Sequence, residues 1–334
     1  MTLPTAGLGQ TGAEITRVGL GTWAIGGPDW KFNWGPQDDG DSVRAIHRAV
    51  ELGVSWIDTA PVYGVGHSEE VVARALRELP EGDRPLVFTK CGRAFREAER
   101  TPHTDISPVS IRSECEASLR RLGVERLDLY QIHWPTLDLA VVEEGWATMA
   151  ALAEEGKARR IGVSNFAVEH LEACERIRHV DTLQPPLSLI QRSVLEEVLP
   201  WCRAHGTGVI VYSPLQSGLL TGRWSVARVE ALDPGDWRRA SEQFREPKLS
   251  RNLELVELLR PIVSRLGCSL AELAIAWAAA QPGVTAAIVG ARDPSQVDGW
   301  VGAARLTLGL GDLAEIAGAV DQSGAAADFP RPPS

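Results

Sequence analysis

The sequence has no CxxC pair, no HExxH or similar histidine spacing, no GxGxxG after its first expected strand, where Gly19, Gly21 and Gly26 have the wrong spacing, and no run of about 18 uninterrupted apolar residues. Each absence excludes something. The five cysteines, Cys91, Cys115, Cys174, Cys202 and Cys268, are scattered and odd in number, so they read as reduced thiols of a cytoplasmic protein. The seven histidines offer no metal-ligand pattern, which predicts no protein-bound metal. Without a long apolar run nothing is expected to span a bilayer. Met1-Thr2-Leu3-Pro4 lacks the basic and apolar regions of a signal peptide, so none is expected. Positive charge is scarce as well: 34 Lys and Arg against 44 Asp and Glu leave a net charge of -10. That balance argues against nucleic acid or an anionic membrane as a partner, while leaving room for a local cationic pocket.

What is present is an alternation. Over 334 residues, 44% of them hydrophobic, short apolar runs alternate with amphipathic segments without a break in composition. The runs Val18–Thr22, Val54–Asp58, Leu86–Lys90, Leu127–His133, Arg160–Ser164, Asp181–Gln184, Gly208–Ser213 and Thr285–Val289 read as strands buried on both faces. Between them Ser42 is expected to cap a helix with the inward stripe Val43, Ile46, Ala49 and Val50, stopped by Gly53. Ser68 is expected to open the next, with Glu69 and Glu70 complementing its positive end and Val72, Ala75, Leu76 and Leu79 inward. Ile111, Cys115, Leu119 and Leu122 form a third stripe ended by Gly123, and Ser269 with Glu272 forms a capping box.

Eight such repeats predict an α/β fold, a (β/α)8 TIM barrel formed as one domain over residues 1–334. The barrel spans about 18–320, a short N-terminal hairpin closes its floor, and the Ala- and Pro-rich tail 324–334 is expected to be loosely ordered. The GxGxxG missing after the first strand disfavours a doubly wound sheet. Ala24–Asp39, Ala94–Ser107 and Leu219–Ser250 are too long for simple turns and read as substrate-contacting loops.

In a barrel, polar residues at the C-terminal strand ends carry chemistry. Here the second strand ends in Asp58 with Tyr63 just beyond, the third in Thr89-Lys90 and the fourth in Gln131-Ile132-His133-Trp134. Carbonyl reduction needs a hydride at carbon and a proton at the developing alkoxide. Tyr63 is the candidate acid, Lys90 the ammonium expected to lower its pKa, Asp58 the anion that holds Lys90, and His133 a neutral donor to the substrate oxygen. A lysine ending an apolar strand is hard to explain without such a partner.

These residues resemble the aldo-keto reductase family. Asp58-Thr59-Ala60-x-x-Tyr63-Gly64, Thr89-Lys90 and Gln131-Ile132-His133 match its Asp–Tyr–Lys–His tetrad in type and order. Gly156-Lys157-x-x-x-Ile161-Gly162-Val163-Ser164-Asn165-Phe166 matches a second signature, and Tyr212-Ser213-Pro214-Leu215 through Gly218-Leu219-Leu220-Thr221-Gly222 a third. The resemblance runs from about Leu8 to about Leu310. It implies reduction of aldehydes or ketones with NADPH, without metal or flavin. It further implies that Ser164, Asn165 and Gln184 hold the nicotinamide carboxamide and that Tyr212 stacks on the ring. Ser213, Pro214, Leu215, Gly218 and Leu220 would line the pyrophosphate path. Gly290, Arg292 and Gln296 would meet the adenosine end, with Arg292 suited to a 2′-phosphate. The chain departs from many members at Asp298-Gly299-Trp300, where they carry Glu-Asn against the adenine.

The expected substrate wall is aromatic, with Trp23, Trp30, Trp34 and Trp134, and suits a small-molecule carbonyl compound of apolar, aromatic or sugar-derived type. Two other functions fit the same residues: an NAD(P)+-dependent alcohol or sugar dehydrogenase, and a slow-turnover NADPH-sensing binding protein like the potassium-channel beta subunits. Oligomeric state does not follow from the residues.

Overall fold

Eight short parallel strands close on themselves at a layer of alternating side chains. The computed structural model describes residues 2–28, 30–95, 102–233 and 235–328. A hairpin of β1 (Thr5–Gly7) and β2 (Glu14–Thr16) comes first. Strands β3 (Val18–Gly21), β4 (Trp56–Asp58) and β5 (Leu86–Cys91) lead to a second hairpin, β6 (Arg93–Phe95) and β7 (Pro102–Thr104). Then follow β8 (Leu129–Ile132), β9 (Ile161–Ser164), β10 (Thr182–Gln184), β11 (Gly208–Val211) and β12 (Ala286–Gly290), which returns to β3 and closes the barrel. Around it lie α1 (Asp39–Glu51), α2 (His67–Glu78), α3 (Pro108–Leu122), α4 (Leu139–Glu154), α5 (Val168–Glu175) and α6 (Val198–His205). Short α7 (Val226–Glu230), α8 (Lys248–Leu266), α9 (Leu270–Ala279), α10 (Pro294–Asp298) and α11 (Leu310–Ser323) complete the shell. This is a (β/α)8 barrel.

Strand side chains alternate with a period of two. Trp56, Phe88, Leu129, Ile210, Ala286 and Ile288 fill the barrel and pack on Leu8 and Ile15 from the first hairpin. Ile57, Val87, Tyr130, Val163, Leu183, Val209 and Ala287 join the core shared with the helices. The first hairpin covers the N-terminal end, where Gln10 N–H donates to Gly206 just ahead of β11. Gly19 is required inside: a Cβ there would lie 2.2 Å from the Trp56 ring. Two positions further along the inward faces stand Asp58, Lys90, Gln131, Ser164 and Gln184, all buried, and Tyr212 just past β11. The barrel is therefore apolar at its floor and polar at its C-terminal mouth.

Several local expectations are corrected by tertiary hydrogen bonds. α1 starts earlier than expected, capped by Asp38, whose side chain accepts from Asp41 N–H at 2.8 Å. Ser42 is buried in its first turn and donates back to Asp38 O. In α2 the N-cap is Gly66, in the left-handed region, and Ser68 instead donates to Thr22 Oγ1 at 2.7 Å. Glu69 serves more than the helix end: it is wholly buried and accepts from Thr89 and Arg121, each at 2.6 Å. The Gly123 stop and the Ser269–Glu272 capping box are as expected. The loop Ala94–Ser107 contains the β6–β7 hairpin, whose connection at 96–101 lies outside the described residues. Of the tail, 329–334 lie outside as well. Residues 324–328 are packed rather than loose, with Ala326 buried and Asp328 paired to Lys248 at 2.6 Å. Among the described residues no single helix is long and apolar enough to cross a membrane.

Candidate active site

The register of the strands brings four titratable side chains to one point of the mouth. Asp58 ends β4 and Lys90 stands near the end of β5, both pointing inward. Lys90 Nζ donates to Asp58 Oδ1 at 2.5 Å and to Thr59 O at 3.0 Å, and lies 3.5 Å from Tyr63 Oη. Tyr63 sits in the turn ahead of α2, which is tight because Gly64 (φ +70°) backs onto Gly26. A Cβ on Gly64 would be 1.8 Å from Gly26 O. His133 follows β8, its backbone N–H bound to Cys91 O at 2.9 Å. Its ring stands edge-on to Tyr63, with centroids 5.9 Å apart.

The electrostatics differ from the expected scheme at one residue. Burial pushes the Tyr63 phenol well above its ordinary pKa, and the Asp58 charge pushes the same way. Lys90, expected to lower it, is itself neutralised by Asp58 at 2.5 Å, so little net positive charge faces the phenol. Tyr63 is thus fully protonated at neutral pH, the state an acid needs. Burial lowers the Lys90 pKa, and Asp58 opposes that by ion pairing and hydrogen bonding. Burial, then the charges of Lys90 and Arg93, drive His133 well below its usual range. It is a neutral imidazole and can donate one N–H.

A cavity of about 660 Å³ opens above these groups and runs along the mouth. Its wall includes Asp58, Tyr63 and His133, while Lys90 lies behind them. Ser164, Asn165, Gln184 and Tyr212 converge on one side. Gln184 Nε2 donates to Asp58 Oδ2 at 2.8 Å, Ser164 Oγ to Gln184 O at 2.7 Å, and Tyr212 Oη to Asn165 Oδ1 at 2.7 Å. Asn165 (φ 64°) and Ser213 (φ 57°) hold left-handed backbone just past β9 and β11, a strained conformation that re-aims the chain at the mouth.

Ser213, Pro214, Leu215 and Gly218 line the cavity. Among the described residues Leu215 and Ser217 donate no backbone hydrogen bond to the protein, which suits a phosphate. Leu220 sits beneath the wall: its side chain is in the core and its N–H bonds to Leu215 O at 3.2 Å. At the far end Gly290, Arg292 and Gln296 line the cavity. Arg292 Nε donates to Gln37 Oε1 at 2.6 Å, its Nη2 is bound to Pro36 O, and Gln296 Oε1 accepts from Arg292 N–H. Burial lowers the Arg292 pKa, and the like charge of Arg238, itself paired with Asp236, adds to that, so an anion at Arg292 would be stabilised. Asp298 does not face this end; it pairs with Arg48 on α1 at 2.8 Å, and Trp300 is buried in the core. The donors, the phosphate-suited backbone and the Arg292 cation together fit a nicotinamide nucleotide.

Trp23, Trp30, Trp34 and Trp134 all line the cavity. Trp30 is buried, with its ring 6.0 Å from Tyr63, whereas Trp134 is 44% exposed. Sequence reasoning missed Phe32, Arg93 and Pro102 beside them, and Trp224, Arg228 and Arg238 from the loop after β11. It also missed Trp237, which stacks on Trp23 with centroids 5.4 Å apart and closes that loop over the mouth. The only sequence signal was the length of the three loops in or beside which these residues lie.

A closed parallel barrel with an Asp–Lys–Tyr cluster and a neutral histidine at its C-terminal mouth defines an oxidoreductase barrel, and the comparisons name the class. The model of the Aldo/keto reductase family matches residues 17–321, and the chain belongs to that family. It is 36% identical over 292 residues to aldo-keto reductase YhdN of Bacillus subtilis, covering 87% of this chain and 86% of that one. It is 35% identical over 329 residues to the NADH-specific methylglyoxal reductase of Escherichia coli, covering 94% and 98%. Among solved structures it is similar to a glycerol dehydrogenase from Gluconobacter oxydans, with TM-score 0.83, 38% identity, and coverage of 100% of this chain and 97% of that chain.

Proposed function

We propose that this chain reduces an aldehyde or ketone to an alcohol with NADPH, Tyr63 supplying the proton. The observation that carries the reading is the buried chain of contacts from Asp58 through Lys90 to the Tyr63 hydroxyl, beside a neutral His133. A bound nicotinamide supplies the hydride to the carbonyl carbon. As negative charge grows on the oxygen, His133 N–H stabilises it and the Tyr63 O–H proton moves to it. Lys90 Nζ, 3.5 Å away, then donates a hydrogen bond to the phenolate, while Asp58 and Thr59 O keep the ammonium in place. Positioned acid catalysis of this kind contributes about 100- to 10,000-fold. Ser164, Asn165 and Gln184 are assigned to the carboxamide, Tyr212 to the ring, the Ser213–Gly218 backbone to the pyrophosphate and Arg292 with Gln296 to the adenosine end. NADPH is preferred over NADH in this reading because the Arg292 guanidinium at the adenosine end suits a 2′-phosphate.

One observation favours a second reading. The structural relative is named a glycerol dehydrogenase, and the same groups could run the reaction in the oxidative direction once the Tyr63 phenol has lost its proton. Alcohol oxidation with NAD(P)+ uses the same groups in reverse. The test is an NADPH-oxidation screen over aldehydes, ketones, quinones and sugars, run beside an NADP+-reduction screen over the matching alcohols. Tyr63→Phe is expected to lose nearly all turnover in both while still binding cofactor. Unchanged turnover in that variant would overturn the assignment.

A further inference from the structure

The substrate half of the cavity contains a cation that the proposed reaction does not use. Arg93, on β6, lines the wall alongside Pro102, Trp30 and Trp134. The strand is fixed there by Phe95, which packs with Trp30 and Tyr63. Arg93 Nη1 donates to Thr104 Oγ1 at 2.8 Å and Nη2 to Pro102 O at 3.3 Å. Both partners are neutral, and the two bonds use two of the five N–H donors a guanidinium carries. Among the described residues no carboxylate pairs with it. Its charge nonetheless acts on the site, being one of the two that hold His133 neutral. Burial pulls the Arg93 pKa down and no counter-charge opposes it, the mark of a partly desolvated, unpaired cation among the described residues.

A guanidinium is a donor only, so the N–H groups of Arg93 left over at the cavity wall call for an acceptor that carries negative charge.

Building on the reductase reading above, we infer that Arg93 selects carbonyl substrates bearing an anionic group, a carboxylate or a phosphate, at a distance from the reacting carbonyl. Arg93 is a specificity-determining residue. It pairs with the anion while His133 and Tyr63 address the carbonyl oxygen. Tying the β6–β7 hairpin through Thr104 and Pro102 leaves the guanidinium oriented for that pairing.

The test compares matched substrates at saturating cofactor: 4-oxobutanoate against its methyl ester, and glyceraldehyde 3-phosphate against glyceraldehyde. The wild type is expected to favour at least one anionic member by about tenfold or more in kcat/KM, and which pair shows it separates carboxylate from phosphate. Arg93→Leu should lower that ratio by about 10- to 100-fold, mainly through KM, the loss expected of one charge-assisted contact. Arg93→Lys should keep part of it, which a residue that merely ties the hairpin would not require. Equal use of charged and uncharged members by the wild type would overturn the inference. So would a ratio unmoved by Arg93→Leu. Turnover of the neutral aldehydes tests the reductase reading separately: without any aldehyde turnover both fail, whereas neutral turnover without anion preference sinks only the role of Arg93.

Discussion

Removing either member of the Lys90–Asp58 pair should unfold the protein more readily than removing both. Lys90 is wholly buried and Asp58 is 2% exposed, so neither charge can turn to water when the other is lost. Breaking a buried pair at one end costs about 3–5 kcal/mol, because the remaining charge must either stay uncompensated or shift its protonation. In Lys90→Met, Asp58 keeps the 2.8 Å bond from Gln184 Nε2, which places the loss toward the lower end, about 3 kcal/mol. In Asp58→Asn, Lys90 keeps Thr59 O at 3.0 Å but loses its counter-charge, so a similar loss of about 3 kcal/mol follows. The double variant holds no unpaired charge and should stand within about 1 kcal/mol of the wild type. The coupling between the sites is then about 5–6 kcal/mol, well above what independent sites show. Urea unfolding monitored by tryptophan fluorescence measures it, with the slope constant across the set. Carbonyl turnover should be lost in all three variants, so stability returns in the double while activity does not. Losses that simply add would refute the reasoning, since they would mean that the pair is not desolvated as its burial implies.

The remaining predictions concern the cofactor end and a carboxyl group behind the site. Arg292→Ala should lower the preference for NADPH over NADH by about 10- to 100-fold, the size of a lost charge-assisted contact, measured as a ratio of kcat/KM values. A ratio already near one in the wild type would favour the cofactor named for the Escherichia coli relative. Glu114 accepts from Gly92 N–H at 3.0 Å, and burial lifts its pKa to about 7. A carboxyl whose folded pKa lies above its unfolded one binds a proton more tightly when folded. Its contribution is therefore complete below the unfolded pKa, near 4.5, and is lost as pH rises through about 7. Glu114→Gln should flatten the pH dependence of stability between about pH 5 and 8 and raise stability at pH 8 by about 1–2 kcal/mol. Denaturant midpoints across that range measure both effects.

The half of the site assigned to proton transfer was legible in the sequence because strand geometry leaves it little freedom. With a period of two and a parallel register, Trp56 inward forces Asp58 inward, and Phe88 does the same for Lys90. A polar residue two places beyond a barrel-filling aromatic must therefore stand at the mouth, and an apolar strand ending in Lys90 announces its partner. Helix starts were less legible: Ser42 and Ser68 are good caps by type, yet Asp38 caps α1 four residues earlier and takes the Ser42 hydroxyl, while Ser68 is held by the distant Thr22. Loop geometry was the least legible. Arg93 and Trp237 lie in segments without periodicity, where nothing in spacing says which way a side chain turns. Their positions depend on long-range contacts, Phe95 against Trp30 and Trp237 against Trp23, made by residues that carry no motif. The division is physical. Proton transfer needs donors held to a few tenths of an ångström and is built on the barrel strands and the tight turn at Tyr63, whereas selection among substrates is assigned to the loops, where a guanidinium such as Arg93 can be gained or lost without disturbing the barrel.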